Sequence, residues 1–514
     1  MGNLAHSWQV YAVCFFAAIG GFCFGYDTGI ISGVLTMKHF IYLMTDGTQI
    51  ELTSLQTGTI TGLLLAGCFV GALVASPSAE YFSRKRSIIL GSCIFMVGAG
   101  IQCGTRGYAM MIVGRAIAGI GIGMLSMLIP LYQSELAPKE IRGRLISLQQ
   151  FMITTGLMVA FWVNVGGDKI DSDASFRIPL GIQIAPALIL ALGASFLPYS
   201  PRWLVSKNRN EEALTVLANL HANGDKTSPY VVQEYEDIVH QIEYERSVAV
   251  TSYLELLKPG LRRRLILGIL IQVFQQFTGI NSIMYYAPKI FQQAGIDGNS
   301  SSLIASGVNG VLNMLATIPA IVYLDRLGRR MTLISGALLM GTCMLLAGIV
   351  MGACGEVNPD PAHPGSGDKV VDMSGNKAAS YFCIVMIYFF VAGFAYSWGP
   401  VGWVYPAEIF PVSVRSKGNS IATAANWLMN FVISEIVPVM LAKITWGTYI
   451  FFGCCCGVMS VCVYIFFPET KGRSLEEMDS VFTGSVFAFR AQAAPNIGTV
   501  EINATEKVES KEEF

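Results

Sequence analysis

Apolar stretches long enough to cross a membrane recur twelve times in this chain of 514 residues. A spanning helix needs about 20 mostly apolar residues. Only 13% of the residues are charged, whereas soluble domains usually carry about 25%. The stretches are 8–35, 56–78, 87–104, 110–133, 145–166, 178–197, 265–291, 302–323, 331–352, 380–406, 418–441 and 446–467. We therefore predict an all-α membrane protein with twelve transmembrane helices, whose surroundings are the lipid bilayer.

The twelve stretches divide six and six around a polar segment. This division predicts an N-terminal six-helix half over 1–197 and a C-terminal six-helix half over 265–481. Between them, 198–264 is expected to be a cytosolic linker with short helices, because NRNEEALTVLANLH and YVVQEYEDIVHQIEYER have amphipathic patterns. The polar end of the chain, 482–514, has the composition of a disordered cytosolic tail.

Lysine and arginine cluster in the loops that follow the even-numbered stretches, such as SRKR (83–86) and DRLGRR (325–330). Because basic loops stay on the cytosolic side, both termini and the linker are expected to be cytosolic. The sequon Asn299-Ser-Ser then lies outside the cell. The first stretch has no basic region before it and is too long for a signal peptide, so we interpret it as a retained span. The net charge of −1 offers no attraction to nucleic acid.

Charged motifs occur twice, at matching places in the two halves. SELAPKEIRGR (134–144) and AEIFPVSVRSKG (407–418) share Glu-x-x-Pro-x-x-x-Arg. AEYFSRKR (79–86) and LDRLGRR (324–330) share an acidic residue followed four positions later by arginine. Parallel repeats of this kind build the major facilitator transporters, which hold their substrate between the halves near the membrane midplane.

Several longer motifs resemble the sugar porters of the major facilitator superfamily. They include SPRWL (200–204), QQFTGINSIMYYAP (275–288) and PETKGRSLEEMD (468–479). The opening YAVCFFAAIGGFCFGYDTGIISG is most similar to fungal hexose transporters. The resemblance covers residues 8–482, nearly the whole chain, and implies the major facilitator fold.

The duplicated charges and the resemblance together indicate ionic latches that hold the halves together when the cytosolic side is shut. Their members are Glu80, Arg84, Glu135, Arg142, Arg202, Asp325, Arg329, Glu408, Arg415 and Glu469. Solvated surface charges are the alternative interpretation. Glu80 and Ser83 stand where the family has Asp and Gly, and Tyr199 replaces a family Glu. Because Glu469 keeps the family's acidic residue in the second half, we expect the charge networks of the two halves to differ.

Uncharged polar side chains inside the spans suit a sugar, because each carboxamide both donates and accepts hydrogen bonds without carrying charge. The resemblance assigns sugar contacts to Gln150, Gln275, Gln276, Asn281, Asn313, Trp403 and Asn426. The seventh span, which carries Gln275, Gln276 and Asn281, also supplies Tyr286. By the same resemblance, Phe24 and Thr28 border the sugar path. Trp403 offers an indole N–H and a flat face for stacking. Gly279 could let the seventh helix break. Alternatively, the amides only tie helices together, at about 0.6 kcal/mol each.

Among the charges inside predicted spans, Asp27 in the first and Arg115 in the fourth are the clearest. Each costs about 2.5–3.5 kcal/mol at a helix centre, so each should face a cavity or a partner. Glycines recur every four residues from Gly21 to Gly33 and predict a close-packing face, with Asp27 on the opposite side. The pair is either a fixed structural salt bridge or a proton-coupling site. The resemblance favours the second role, because proton-coupled sugar porters have Asp here and animal facilitative carriers have Asn.

Taken together, these features predict a plasma-membrane symporter that couples a proton to a monosaccharide by alternating access. Glucose or another hexose is the first candidate, with xylose as a second, and the protein is expected to function as a monomer. A facilitative hexose uniporter and a non-transporting sugar sensor are the alternatives. We expect no cofactor, no metal and no enzymatic activity, since the sequence has no GxxxxGK[ST] motif, nucleophile–base constellation or metal-ligand spacing.

Overall fold

The chain folds almost entirely into helices in a computed structural model. The structure describes residues 8–49, 51–138, 141–248, 253–296, 298–359, 368–373, 375–411 and 414–471, together with 482, 487 and 488. Most of the predicted tail therefore lies outside the described residues, as does the side chain of Asn299 in the sequon.

The N-terminal part supplies six apolar spans. Its helices are α1 (Trp8–Ala17), α2 (Ile19–Val34), α3 (Lys38–Met44), α4 (Ser54–Phe82), α5 (Arg84–Cys103), α6 (Tyr108–Leu136), α7 (Arg142–Gly167), α8 (Ala174–Ile182) and α9 (Ile184–Ala194). The first span joins α1 to α2, the sixth joins α8 to α9, and α3 is a short helix between the first two spans.

Short helices follow the sixth span, and then the second set of spans begins. The short helices are α10 (Pro201–Ser206), α11 (Asn210–His221), α12 (Pro229–Val248) and a 3-10 helix (Tyr253–Leu257). The C-terminal elements are α13 (Leu261–Phe277), α14 (Ile280–Tyr285), α15 (Ala287–Gln293), α16 (Asn299–Leu327), α17 (Arg329–Cys354), β1 (Glu356–Pro359), β2 (Lys369–Asp372), α18 (Lys377–Tyr396), α19 (Trp398–Ile409), α20 (Arg415–Lys443) and α21 (Gly447–Phe466). The two strands form an antiparallel hairpin with Glu356 opposite Asp372.

Within the described residues, eleven segments are long and apolar enough to cross a membrane. They correspond to every predicted span except the seventh, which is divided into α13, α14 and α15. The break falls at Gly279, whose φ of +86° lies in the left-handed region. A Cβ there would lie 2.7 Å from the ring of Phe452, so a larger residue would be strained and crowded. The predicted break in the seventh helix is therefore present.

The glycine-rich face of α2 packs directly on α7. A Cβ on Gly25 would overlap the carbonyl oxygen of Ile153, and one on Gly29 would lie 2.8 Å from the Cβ of Ala160. Across the molecule, α4 packs on α20 and α7 packs on α16. These two contacts join the N-terminal set of spans to the C-terminal set, and the polar side chains described next lie between them.

Candidate functional site

An amide network links the first part of the broken span to α20. Nδ2 of Asn426 donates to Oε1 of Gln272 at 2.6 Å and to Oε1 of Gln275 at 2.8 Å. Gln276 donates from Nε2 to Oδ1 of Asn426 at 3.1 Å and accepts at Oε1 from Nδ2 of Asn281 at 2.6 Å. The break at Gly279 brings Asn281 back towards Gln276. Four of the predicted sugar contacts therefore lie in one hydrogen-bonded cluster.

Gln272 is the member of this cluster that the sequence interpretation missed. Its Nε2 donates to the carbonyl oxygen of Gly402 at 2.9 Å while its Oε1 receives Asn426. A signal was present, because Gln272 lies three and four residues before Gln275 and Gln276 and so shares their helix face. Gln272 holds both α19 and Asn426 in place.

A hydrogen bond between two of the predicted sugar-contact residues joins the N-terminal spans to the C-terminal spans. The indole N–H of Trp403 on α19 donates to Oε1 of Gln150 on α7 at 3.2 Å, and each of these residues is 5% exposed. Asn313 on α16 is also buried, and its Oδ1 has no hydrogen-bond partner among the residues that the structure describes. A buried carbonyl oxygen without a partner is costly. Asn313 is therefore suited to receive a ligand hydroxyl.

Aromatic residues lie near the amide network. The hydroxyl of Tyr286 lies 3.2 Å from Oγ1 of Thr61 on α4 and donates to the carbonyl oxygen of Ser434 on α20 at 2.9 Å. Phe24 meets Trp427 edge to face at a centroid distance of 4.9 Å. Thr28, one helical turn from Phe24, has a buried Oγ1 that meets no hydrogen-bond partner in the described ranges.

Asp27 and Arg115 meet each other inside the helices. Nη1 of Arg115 donates to both carboxylate oxygens of Asp27, at 2.9 and 2.8 Å, and neither side chain is exposed. Nε of Arg115 donates to the carbonyl oxygen of Ile60 on α4 at 3.0 Å, and within the described part of the chain Nη2 has no partner. The pair therefore joins α2 to α6 and α4, on the side of α2 away from its glycine face.

The predicted latch residues form ion pairs within each set of spans. Arg84 binds Glu135 through Nη2 at 2.7 Å, and Arg329 binds Glu408 through Nη2 at 2.6 Å. Each pair joins helices of one half, which differs from the expected bridge between halves. The reason is that a spacing of seven residues places Glu135 and Arg142 near each other along the chain but does not decide which cation the carboxylate reaches in the fold.

The other latch residues lie at the same ends of the helices as these pairs. Arg142 donates to the carbonyl oxygen of Ala137, and Arg415 donates to that of Phe410. Glu80 is exposed, Arg202 is half-buried on α10, and the side chain of Asp325 lies outside the described residues.

The charge clusters of the two halves differ, as the departures from the family pattern suggest. Glu469 accepts the backbone N–H groups of Arg329 and Arg330 at 2.8 and 3.0 Å. At the related place in the first half, Tyr199 instead receives the ammonium of Lys85 over its ring, 4.8 Å from the centroid. A cation–π contact is worth about 0.5–1 kcal/mol at an exposed site.

This architecture defines a class, that of polytopic membrane transporters with a polar site between two sets of spans. Comparison with known proteins agrees. The chain matches the family model described as "Sugar (and other) transporter" over residues 13–482. It is 40% identical to the MFS glucose transporter mfs1 of Aspergillus flavus over 94% of this chain and 91% of that protein. It is 37% identical to the high-affinity glucose transporter 1 of Candida albicans over 100% of this chain and 94% of that protein.

A solved structure also matches. XylE of E. coli, described as a major facilitator proton:xylose symporter bound to 6-bromo-6-deoxy-D-glucose, superposes with a TM-score of 0.78 at 28% identity. The match covers 93% of this chain and 100% of XylE. The chain belongs to the sugar (and other) transporter family and has the major facilitator fold. It is a multi-pass membrane protein of sugar transport and not an enzyme.

Proposed function

We propose that the protein is a proton-coupled monosaccharide symporter that works by alternating access, with glucose or another hexose as its substrate. The observation that carries this proposal is the fully buried pair of Asp27 and Arg115. A sugar is neutral, so sugar binding alone gives no reason to bury two opposite charges inside the membrane. Proton coupling gives such a reason, because it needs a carboxylate that takes up and releases a proton.

The geometry supports a coupling role because the pair holds three helices. With Asp27 ionised, its carboxylate ties α2 to Arg115, and Arg115 is tied to α4 through Ile60. Protonation removes the charge on Asp27 and weakens this tie, which lets the helices shift relative to one another. A proton moving inward across about 100 mV yields about 2.3 kcal/mol. At about 1.4 kcal/mol per tenfold ratio, this supports about fiftyfold accumulation of sugar.

We place the sugar among the amides between the two sets of spans. The proposed contacts are Gln150, Gln275, Gln276, Asn281, Asn313, Trp403 and Asn426, with Tyr286, Phe24 and Thr28 at the edges of the path. The carboxamides of Gln275, Gln276, Asn281 and Asn426 hydrogen-bond to one another and that of Gln150 bonds to Trp403, so sugar hydroxyls would replace bonds of the same kind. The relatives are named as glucose transporters, which favours a hexose, and the likeness to XylE keeps xylose as a second candidate.

The same proposal includes the cellular setting. We place the protein in the plasma membrane as a monomer, with both termini and the Arg84–Glu135 and Arg329–Glu408 pairs on the cytosolic side, where basic loops remain. These pairs would stiffen the cytosolic ends of the halves that move against each other. Arg142, Arg202, Arg415 and Glu469 lie at the same ends and would contribute to the closed cytosolic side.

Uptake by proteoliposomes tests the proposal. Radiolabelled hexose and xylose are offered with an imposed pH gradient, with an imposed voltage, and with neither. Accumulation above the external concentration under the gradients is expected. Uptake that equilibrates but never concentrates would show a uniporter instead, and binding without uptake of any sugar would show a sensor.

A further inference from the structure

A second carboxylate lies at membrane depth in the C-terminal spans, and the coupling mechanism does not use it. Glu435 is on α20 (Arg415–Lys443), eight residues from the outer end of the helix. At 1.5 Å per residue this is about 12 Å from that end. Ionisable residues within spans are costly and mark functional positions.

Glu435 is seated in a notch formed by two glycines of α4. A Cβ on Gly58 would lie 2.8 Å from Oε2 of Glu435, and a Cβ on Gly62 would overlap Oε1. The carboxyl group therefore fits against α4 only because both positions are glycine. Since α4 and α20 belong to different halves, this seat exists only while the halves are closed here.

The surroundings of Glu435 hold no cation that would stabilise its charge. In the part of the chain that the structure describes, Glu435 forms neither an ion pair nor a side-chain hydrogen bond. Titratable groups on the neighbouring elements include Tyr285 and Tyr286 of the broken span, Tyr449 of α21, Cys68 of α4, Lys369 and Asp372 of β2, Lys443 of α20 and Arg115 of α6. Lys443 is bound to Asp368 at 3.0 Å and Arg115 to Asp27 at 2.8 Å.

A cavity lies beside this notch. This cavity of about 270 Å³ is lined by Thr57 and Pro438, next to Gly58 and one turn from Glu435. Lys369 and Glu51 line the same cavity. A proton from this cavity has a short path to Glu435 when the notch opens.

We propose that Glu435 is a second proton site, which controls closure of the outer side without carrying the coupled proton. In open water the carboxylate ionises; seated in the glycine notch the side chain is partly buried and has no cation partner among the described residues, so closure favours the neutral acid. The proton comes from the external water and returns there when the outer side reopens. Low external pH therefore favours closure. This inference rests on the proposed alternating-access transport but not on coupling through Asp27.

The notch is also linked physically to the coupling pair. Ile60, between the two glycines on α4, accepts the hydrogen bond from Arg115. Thr61 contacts the hydroxyl of Tyr286, which donates to Ser434, the neighbour of Glu435. Movement of α4 away from α20 would therefore change the surroundings of both Asp27 and Glu435.

Sugar exchange measured at varied external pH tests the proposal. Asp27→Asn proteoliposomes, equal in sugar on both sides, isolate the contribution of Glu435. We expect exchange to fall by about fivefold from external pH near 5.5 to near 7.5, and Glu435→Gln in the same background to remove this dependence. Glu51→Gln, another outer carboxylate, is the matched control and should keep the dependence.

Three results would overturn the inference. They are a flat pH profile in Asp27→Asn, an unchanged profile after Glu435→Gln, or an equal loss in Glu51→Gln. If Asp27→Asn does not fold, the comparison of Glu435→Gln with Glu51→Gln in the otherwise unaltered protein gives the same decision. Gly62→Ala adds a methyl group where Oε1 lies, so it should slow exchange at both pH values. Failure of gradient-driven accumulation would reject proton coupling but leave these exchange results intact.

Discussion

The indole N–H of Trp403 donates a 3.2 Å hydrogen bond to Oε1 of Gln150, and this bond joins the two halves of the molecule. Both residues are buried, on α19 and α7 respectively. Alternating access requires the halves to move against each other around the substrate. A bond in this position must therefore break or be exchanged for bonds to the sugar during transport.

Replacing Trp403 with Phe tests this role. The substitution keeps an aromatic ring but removes the N–H and part of the stacking surface, so we expect KM for sugar to rise by about fivefold to thirtyfold, equivalent to about 1–2 kcal/mol. Uptake kinetics in proteoliposomes measure this change in KM. Trp398→Phe is the control, because the Trp398 N–H bonds to Leu333 inside the C-terminal half at 3.0 Å. That variant should lower thermal stability and leave KM within about twofold. A larger effect of Trp398→Phe on KM would contradict the assignment.

Asp27→Asn should separate facilitated from driven transport. The amide keeps the shape of the carboxyl group but cannot ionise, so we expect sugar exchange to continue and accumulation under a pH gradient to be lost. The variant should also be less stable by about 3–5 kcal/mol, because Arg115 loses the carboxylate that it binds in a buried site. Exchange, accumulation and thermal melting are measured on the same preparation.

The double variant Asp27→Asn with Arg115→Gln gives the matched comparison. Removing both charges should recover part of the lost stability, since no unpaired charge remains buried. Accumulation should stay absent. Normal accumulation in either variant would remove Asp27 from the coupling mechanism.

Much of the fold follows from local sequence patterns. The twelve apolar stretches identify the spans because crossing a bilayer needs a minimum length of apolar helix. Gly279 indicates the break because the left-handed backbone there suits glycine. The four-residue spacing from Gly21 to Gly33 indicates the face of α2 that packs on α7, since this spacing repeats along one side of a helix.

Long-range partners are harder to obtain from the sequence. Glu135 binds Arg84, which is 51 positions away, and no local spacing favours that cation over Arg142. Gln272 was overlooked although it lies on the face of Gln275, because its role appears only once Asn426 and Gly402 are brought beside it. Local periodicity fixes which face a side chain occupies, whereas its partner depends on how separate helices pack.

Gly25→Ala should weaken the packing of α2 on α7. The new Cβ would overlap the carbonyl oxygen of Ile153, and backbone cannot move aside as a flexible side chain can. We expect a loss of about 1–3 kcal/mol of stability, the usual cost of overpacking, or failure to fold. Thermal melting in detergent measures this loss of stability. Gly166→Ala is the control on α7, because nothing lies within 4 Å of its Cβ. Equal melting temperatures for the two variants would contradict this packing.

Ser83→Gly should stabilise the protein. Ser83 joins α4 to α5 with φ +94° and ψ 157°, a conformation adopted almost only by glycine, and it costs other residues about 1–3 kcal/mol. At the related junction of the second half, Gly328 has nearly the same angles, φ +87° and ψ 158°. The serine Oγ does cap the N–H of Arg86 at 3.3 Å, but glycine in place of serine at a helix start loses only a few tenths of a kcal/mol.

The expected net gain for Ser83→Gly is about 1 kcal/mol, seen as a higher melting temperature in detergent. Ser83→Ala is the matched control, because it loses the cap and keeps a Cβ in the strained conformation, so it should melt below the unaltered protein. In the second half, Gly328→Ala should be destabilising, since its Cβ would lie 2.6 Å from Oε2 of Glu469. If Ser83→Gly melts no higher than Ser83→Ala, backbone strain at this junction is too small to matter, and the cap of Arg86 explains why serine is tolerated there.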